Sequence, residues 1–111
     1  MPYEVVLLEP VTDFLRSLED KLQAKALRAV ELLRTFGPQL PMPHSRKLSG
    51  YDIWELRAKQ GNTICRLFYF QHRNRIFVVM SGYVKKTDKT DPEQIRRALR
   101  LKSEYLGGKI Q

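Results

Sequence analysis

The segment from Ser49 to Lys89 constrains the fold more than any other part of the chain. It contains three runs in which large apolar residues alternate with polar ones, and alternation of this kind is typical of β-strands. Two short polar segments with the composition of tight turns separate the runs. The sequence therefore predicts an antiparallel meander with strands near Ile53–Ala58, Thr63–Gln71 and Arg75–Val84 and turns at Gln60-Gly61-Asn62 and Arg73-Asn74.

Two arginines, Arg57 and Arg66, fall inside these predicted strands. A two-residue turn at Gly61 would put both on one face of the sheet, because side chains along a strand alternate with a period of two. A buried guanidinium group needs a partner, so we expect this face to be at least partly open. A structural explanation also remains, in which the arginines are bonded to Glu55 or Asp52.

A two-residue turn at Arg73-Asn74 extends this assignment to the third strand of the meander. The arginine face would then also carry Glu55, Phe68, Phe70, Phe77, Val79 and Ser81. The opposite face is nearly all apolar and is expected to lie under helices. Its members are Trp54, Leu56, Cys65, Leu67, Tyr69, Ile76, Val78 and Met80.

A helical pattern precedes the meander. Apolar residues recur at helical spacing over 12–36, with Thr12 or Asp13 as the N-terminal cap and Gly37-Pro38 as the stop. A break near Leu18–Lys21 would divide this stretch into a short helix and a longer one. The pattern predicts a helical hairpin that lies on the sheet.

The remaining segments complete the element order. Tyr3–Leu8 is predicted to be a short strand ended by Pro10, and the Pro- and Gly-containing stretch 37–50 to be a loop. Thr90 or Asp91 is expected to cap a C-terminal helix that ends at Gly107-Gly108. The sequence thus predicts one α+β domain spanning 1–111, in which an N-terminal strand and a helical hairpin pack on an antiparallel sheet of three to four strands, followed by a C-terminal helix.

The net charge of +8 is unevenly distributed along the chain. Residues 1–45 carry five Lys or Arg against six Asp or Glu, whereas residues 46–111 carry fifteen against six. The excess positive charge therefore lies in the sheet and the last helix. This favours a polyanionic partner, because neutralising phosphates releases their counterions, and RNA is the first candidate. A basic surface that serves only solubility is the alternative.

Several classes of protein are not expected. No stretch has the run of about 18 apolar residues that a membrane span requires, and the N-terminus does not resemble a signal peptide, so we expect a cytoplasmic protein that does not bind membranes. Cys65 is the single cysteine, and His44 and His72 lack further ligands at metal-binding spacing. No metal or cofactor is therefore expected.

Arg57, Arg66, Lys85 and Lys86 are the strongest candidates for an anion site, because four cations close together repel one another unless an anion binds. His44 lies in the loop that leads into the first basic strand and could contact substrate or transfer protons. Phe68 and Tyr83 could stack on bases or simply pack.

Three strings of the sequence resemble those of the RelE/ParE toxin superfamily, and in particular its phage-derived, HigB-like branch. They are PHSRKLSGYDIWELR, CRLFYF and GYVKKTDKTDPEQIRRALRLKSEY. Within them, Lys47 to Arg57 matches a Lys-Leu-x-Gly-x-x-x-Trp-Glu-Leu-Arg pattern, and Arg66 and Lys85-Lys86-Thr87 match two further positions. The resemblance implies a RelE-like, microbial-RNase-like fold.

The resemblance also implies a function. Proteins of this kind are toxins of type II toxin–antitoxin systems, typically metal-independent mRNA endonucleases that act on the ribosome and inhibit translation. The expected partners are the ribosome, mRNA and a helix-turn-helix antitoxin, in a complex that is expected to be oligomeric. ParE relatives with the same scaffold inhibit DNA gyrase without cutting RNA, and an inert module that binds nucleic acid or a partner is a third alternative.

By matching position, Arg66 would bind the scissile phosphate with Arg57 beside it. Lys86 or Lys85 would stabilise charge or protonate the leaving 5′-oxygen. The residues expected to contact RNA more widely are His44, Arg46, Lys47, Phe68, Tyr83, Lys89, Arg96 and Arg97. No residue clearly matches the general base, for which His44, Glu55 and Tyr83 are the candidates. A lysine could also serve if neighbouring cations lowered its pKa.

Overall fold

A five-stranded sheet organises the chain, with the strands in the order β1-β5-β4-β3-β2. The structure is a computed structural model that describes residues 2–41, 43–87 and 89–107. The first strand pairs parallel to the last, and the other neighbours pair antiparallel. The strands are β1 (Glu4–Leu7), β2 (Ser45–Lys47), β3 (Trp54–Gln60), β4 (Thr63–Arg73) and β5 (Ile76–Lys85).

Three α-helices accompany the sheet: α1 (Glu9–Ser17), α2 (Asp20–Phe36) and α3 (Pro92–Leu106). The predicted break within the helical pattern is confirmed. It occurs because the Glu19 side chain caps α2, accepting a hydrogen bond from the Leu22 N–H at 2.7 Å. The helix α1 begins at Glu9, earlier than the predicted caps Thr12 and Asp13, since Pro10 fits the first helical turn.

The cap of α3 is Asp91, one of the two predicted residues. Its carboxylate accepts from the Glu93 N–H at 3.0 Å, and Pro92 stands at the first helical position. The helix is followed by Gly107 at its C-terminal cap, whereas Gly108 lies outside the described residues. No helix in the part of the chain that the structure describes is both long and apolar enough to cross a membrane.

The predicted fold class is confirmed, although the sheet is wider than expected and mixed. Tyr3–Leu8 was expected to be a strand, and its central part joins the sheet as β1, parallel to β5. The predicted loop 37–50 contains a 3₁₀ turn, Gly37–Gln39, and the short strand β2. Three residues are too few to show a periodicity, so β2 has no signal in the sequence.

The hairpin at Gly61 has the predicted two-residue turn, and Arg57 lies opposite Arg66. Gly61 adopts φ 61°, a left-handed conformation that suits glycine at a tight turn. The two arginines therefore lie on one face, as predicted. The second turn lies one residue later than predicted: β4 extends to Arg73, which pairs with Ile76, so the turn is at Asn74-Arg75. The face assignment of β5 is partly wrong, because the β4–β5 register shifts at Phe68/Tyr69 and at Gln71/Arg73.

Between these two shifts the alternation of β5 is inverted relative to the prediction. Phe77 and Val79 pack with α1 and α2 in one apolar cluster. Ile76, Val78 and Met80 pack on the opposite face against α3. Ser81 is paired with Phe68, so its predicted face is correct.

The predicted openness of the arginine face is wrong. The helix α3 lies across this face, and its Ala98 and Leu101 pack with Phe68 and Phe70. Glu55, Arg66, Phe68 and Ser81 have no exposed surface. Strand alternation predicts which residues share this face. It does not predict that α3 packs over the face, because that is a tertiary arrangement.

Candidate active site

The carboxylate of Glu55 is the centre of a buried charged cluster on the α3 side of the sheet. Its Oε1 lies 2.9 Å from Nη1 of Arg66, 3.3 Å from Nη2 of Arg46 and 3.6 Å from Nε of Arg57. Glu55 and Arg66 are completely buried, whereas the side chains of Arg46 and Arg57 are 34% and 18% exposed. Three guanidinium groups thus share one carboxylate, and the cluster keeps net positive charge.

Strand pairing explains why these side chains meet. Arg46 lies opposite Glu55 across β2 and β3, and Arg57 lies opposite Arg66 across β3 and β4. Because alternate residues share a face, Glu55 and Arg57 project to the same side. The structural alternative raised by the sequence, arginines bonded to Glu55, therefore describes this conformation. Asp52 instead binds Lys102.

The segment that joins β5 to α3 closes over this cluster. The Thr90 hydroxyl accepts from Arg46 and donates to Oε2 of Glu55, both at 2.9 Å. Nη2 of Arg66 donates to the Thr87 carbonyl. The Nε of Arg66 is buried without a hydrogen-bond partner among the described residues. Sequence analysis assigned Thr90 only to helix capping, and its role here follows from the tertiary packing of α3.

Tyr83 lies beside the charged cluster. It is opposite Arg66 in the sheet and stacks on Phe68, with ring centroids 5.8 Å apart. Its hydroxyl accepts from the Asp91 N–H at 2.8 Å. Burial raises the pKa of Tyr83, an effect that its hydrogen bond to Asp91 and the nearby Arg66 charge partly oppose. The Tyr83 hydroxyl is therefore protonated at neutral pH.

The predicted lysines lie at the end of β5. Lys85 is half-buried opposite Ile64, and two-residue alternation places it on the face of Tyr83 and Arg66. Lys86 and Lys89 are exposed. The end of the strand thus places Lys85 on the arginine face. Lys86, directly after it, lies at the surface immediately before the Thr87 contact.

The other residues predicted to contact RNA are dispersed. The Nζ of Lys47 lies 5.6 Å from the centre of the Trp54 ring, and exposed Arg96 pairs with Glu93 on α3. Phe68 is completely buried, so it packs between the sheet and α3. Arg97 is half-buried on α3.

His44 has an exposed side chain, and its carbonyl accepts from the Arg57 N–H at 2.8 Å. It lines a cavity of about 480 Å³ together with Arg57 and two residues of α2, Lys25 and Arg28. Sequence analysis missed Lys25 and Arg28, because the N-terminal part of the chain carries no excess of positive charge. Their spacing of three residues on one helix was the available signal.

Cys65 lies on the opposite face of the sheet, completely buried. Burial raises the pKa of its thiol to about 12. The thiol is therefore unreactive at neutral pH and belongs to the core, as its position in the apolar pattern predicts. No group of three or more His, Cys, Asp or Glu within 2–41, 43–87 and 89–107 could hold a metal ion.

Comparison with known families adds to this geometry. A family model described as phage-derived protein Gp49-like matches residues 13–103, which include the second half of α1, all of α2, the meander and most of α3. The chain belongs to the Gp49-like family. No curated protein sequence matches this Gp49-like chain significantly.

Solved structures show that the Gp49-like chain has the fold of RelE. A structure of the E. coli toxin RelE, a double arginine-to-alanine mutant in the free state, matches with a TM-score of 0.65 and 19% identity over 90% of this chain and 97% of RelE. An archaeal RelE–RelB complex from Pyrococcus horikoshii OT3 matches with a TM-score of 0.57 and 22% identity, over 81% of this chain and 100% of that chain. The predicted resemblance to RelE is confirmed for the fold, and assignment to the HigB-like branch stays a prediction.

Proposed function

We propose that this Gp49-like protein is the toxin of a type II toxin–antitoxin system and cleaves mRNA on the ribosome. The observation that carries the proposal is the convergence of Arg46, Arg57 and Arg66 on the one carboxylate of Glu55. The net positive charge of this cluster lies near the end of β5 at Lys85, which Lys86 directly follows. Cations held by a rigid sheet suit a reaction in which charge develops on a phosphate.

The proposed reaction is transesterification within the RNA. The 2′-hydroxyl of a nucleotide attacks its own 3′-phosphate, the bond to the 5′-oxygen breaks, and a 2′,3′-cyclic phosphate remains. The attacking hydroxyl loses a proton and the leaving 5′-oxygen gains one, so the reaction needs positioning, charge stabilisation and proton transfer but no metal ion.

In this proposal Arg57 and Lys85 contact the phosphate oxygens, and Lys86 stabilises or protonates the leaving 5′-oxygen. Burial of Arg66 favours a positioning role over direct contact with the phosphate. Its bond to the Thr87 carbonyl fixes the chain directly after Lys86. Contact between Arg66 and RNA would require the contacts of Thr87 and Thr90 with the cluster to break.

Among the three candidate bases, His44 fits best. Glu55 has no exposed surface and is bonded to Arg66 and Thr90. Tyr83 is protonated at neutral pH, for the reasons given above, and accepts a hydrogen bond from Asp91. The exposed imidazole of His44 lines the same cavity as Arg57 and is the side-chain type that most often serves as a general base.

The proposed partners follow from the charge and from the relatives. Exposed cations outside the cluster, such as Lys47, Lys89 and Arg96, would meet ribosomal RNA. A cognate antitoxin, a helix-turn-helix protein, would silence the toxin in an oligomeric complex. The Pyrococcus horikoshii RelE, which was solved together with RelB, supports the presence of such a partner.

The test is to induce the chain in bacteria without an antitoxin and to map cellular RNA 5′ ends. Lys86→Ala is the informative variant, because Lys86 is exposed and its loss leaves the buried cluster intact. Lys21→Ala, at an exposed lysine of α2, is the matched control. We expect cuts inside translated codons with the native chain and with Lys21→Ala, and their loss with Lys86→Ala.

Growth arrest without RNA cuts would overturn the nuclease and favour inhibition of gyrase, which a DNA damage response would reveal. Absence of both arrest and cuts would leave a module that only binds a partner. Full cutting by Lys86→Ala would contradict the assigned role of Lys86 while leaving the nuclease itself supported.

A further inference from the structure

A groove of about 480 Å³ lies between α2 and the outer end of β3. We call it the α2–β3 groove. Its floor is apolar and includes Leu32, Ala58 and Ile64. Its charged lining residues are all basic: Lys25, Arg28, Arg57 and Lys59, with His44 beside them. No Asp or Glu is among the described residues that line it.

Backbone groups of β3, as well as side chains, face the groove. The edge strand β2 pairs only with Trp54–Leu56, so the outer edge of β3 continues past it. The N–H of Arg57 points outward at this edge, since it donates to the His44 carbonyl. Lys59, two residues later, points the same way, and its carbonyl accepts from Nζ of Lys25 at 3.2 Å. An extended chain placed here would meet outward backbone groups of β3.

We infer that the α2–β3 groove binds an acidic, extended segment of a partner protein, with aliphatic side chains on the apolar floor and carboxylates at the basic residues. An extended segment has alternate side chains on opposite sides, which suits a groove with a floor and charged walls. The charge complementarity selects Asp and Glu in the partner. The added strand would lie along β3 beyond the end of β2.

The lining favours protein over RNA as the occupant. Bases bind single-stranded sites mainly by stacking on aromatic rings, and no Phe, Tyr or Trp lies among the described lining residues. Aliphatic floor residues such as Leu32 and Ile64 instead match the side chains of a peptide. RNA phosphates would use the basic residues but leave the apolar floor uncovered.

The effect of the bound segment on catalysis rests on the proposed function: occupation of the groove would act on the candidate active site through Arg57. This arginine lines the groove and also lies 3.6 Å from Glu55 in the charged cluster. A carboxylate from the partner would neutralise it and occupy the space in front of His44. The segment would therefore compete with a phosphate for the same cations.

The experiment is an NMR titration of the full chain with a short synthetic peptide that alternates glutamate and leucine. A peptide with glutamine in place of every glutamate and a short single-stranded RNA serve as comparison probes. We expect the acidic peptide to shift the amide signals of Arg57 and Lys59 and to slow hydrogen exchange at Lys59. The Lys25→Glu/Arg28→Glu variant should weaken its binding at least about tenfold.

The matched control is Arg73→Glu/Arg100→Glu, which makes the same change of net charge at exposed positions away from the groove. It should alter the affinity less than about threefold, because solvent screens distant charges. RNA that shifts the groove signals while the acidic peptide does not would overturn the inference, as would equal weakening by both double variants. The readout is binding alone, so failure here would leave the nuclease test unaffected.

Discussion

The two faces of the sheet bury different chemistry. Under α1 and α2 the described residues bury apolar and aromatic side chains, and the buried hydroxyls of Ser45 and Tyr69 bond to each other. Under α3 an apolar cluster adjoins the completely buried pair Glu55 and Arg66. The first face gains stability from area removed from water. The second face must pair every buried charge, because a buried charge without a partner costs far more free energy than a buried polar group without one.

This contrast suggests that α3 both covers and depends on the site. Its apolar residues Ala98 and Leu101 pack like those of an ordinary helix. The residue before its cap, Thr90, is bonded to Glu55 and Arg46. The charged face therefore ties the position of α3 to the arrangement of the candidate active site.

The largest expected effect is that of Glu55→Ala. Removing the shared carboxylate leaves Arg66 buried and unpaired, so we expect the free energy of unfolding to fall by about 3–5 kcal/mol. Urea unfolding followed by circular dichroism measures it. The control is Glu55→Leu/Arg66→Met, which removes both charges and should recover most of the loss. A double variant as unstable as Glu55→Ala would show that the loss does not come from the unpaired charge of Arg66, and that pairing of charges is not what distinguishes this face.

The pH dependence of stability probes the apolar face, because the buried thiol of Cys65 lies there. Because its pKa is raised from 9.0 to about 12 in the folded chain, the folded state disfavours the thiolate. The resulting stability is fully present below pH 9 and is lost as the pH rises towards about 12, by up to about 4 kcal/mol. The raised pKa values of Tyr69 and Tyr83 act in the same direction.

The measurement is the free energy of unfolding against pH for the native chain and for Cys65→Ala. The variant lacks the thiol but keeps both tyrosines, so its stability should fall less steeply above pH 9. Identical slopes would mean that the thiol is not desolvated in the folded protein, and that this face is less tightly packed than its burial indicates.

The smallest expected effect is that of Thr90→Val. The substitution keeps the shape of the side chain but removes the hydroxyl between Arg46 and Glu55, and hydrogen bonds to charged groups contribute about 1.5–3 kcal/mol. We expect a loss in this range, with faster hydrogen exchange in the first turn of α3. Thr35→Val, at an exposed threonine of α2, is the control. Unchanged hydrogen exchange in α3 would show that the charged cluster does not hold the helix in position.

Local signals made much of this fold predictable. The stop of α2 at Gly37, the cap of α3, the turn at Gly61 and the alternation in β3 and β4 all depend on neighbouring residues, and the sequence predicts them. The register shifts along β5 depend on packing of the finished sheet, so the faces of Phe77 and Val79 could not be read from the alternation. The strand β2 is too short for any periodic signal.

The sequence predicts which residues form the candidate site, but it does not predict how far their side chains are exposed. Arg57 and Arg66 share a face because of strand alternation, which the sequence contains. Burial of Arg66 depends on the docking of α3, which no local pattern encodes. Lys25 and Arg28 reach the site region from a helix whose own segment is close to neutral, so the distribution of charge along the chain gave no indication of them.

The parallel pairing of β1 with β5 sets the order in which parts of the structure can form during synthesis. Glu4–Leu7 are made before Ile76–Val79, with which they pair, and α3 is made later still. Pairing of segments so distant in sequence is slow to form. A nascent chain therefore carries the helical hairpin before the sheet is complete, and the charged cluster under α3 assembles only after α3 has been made.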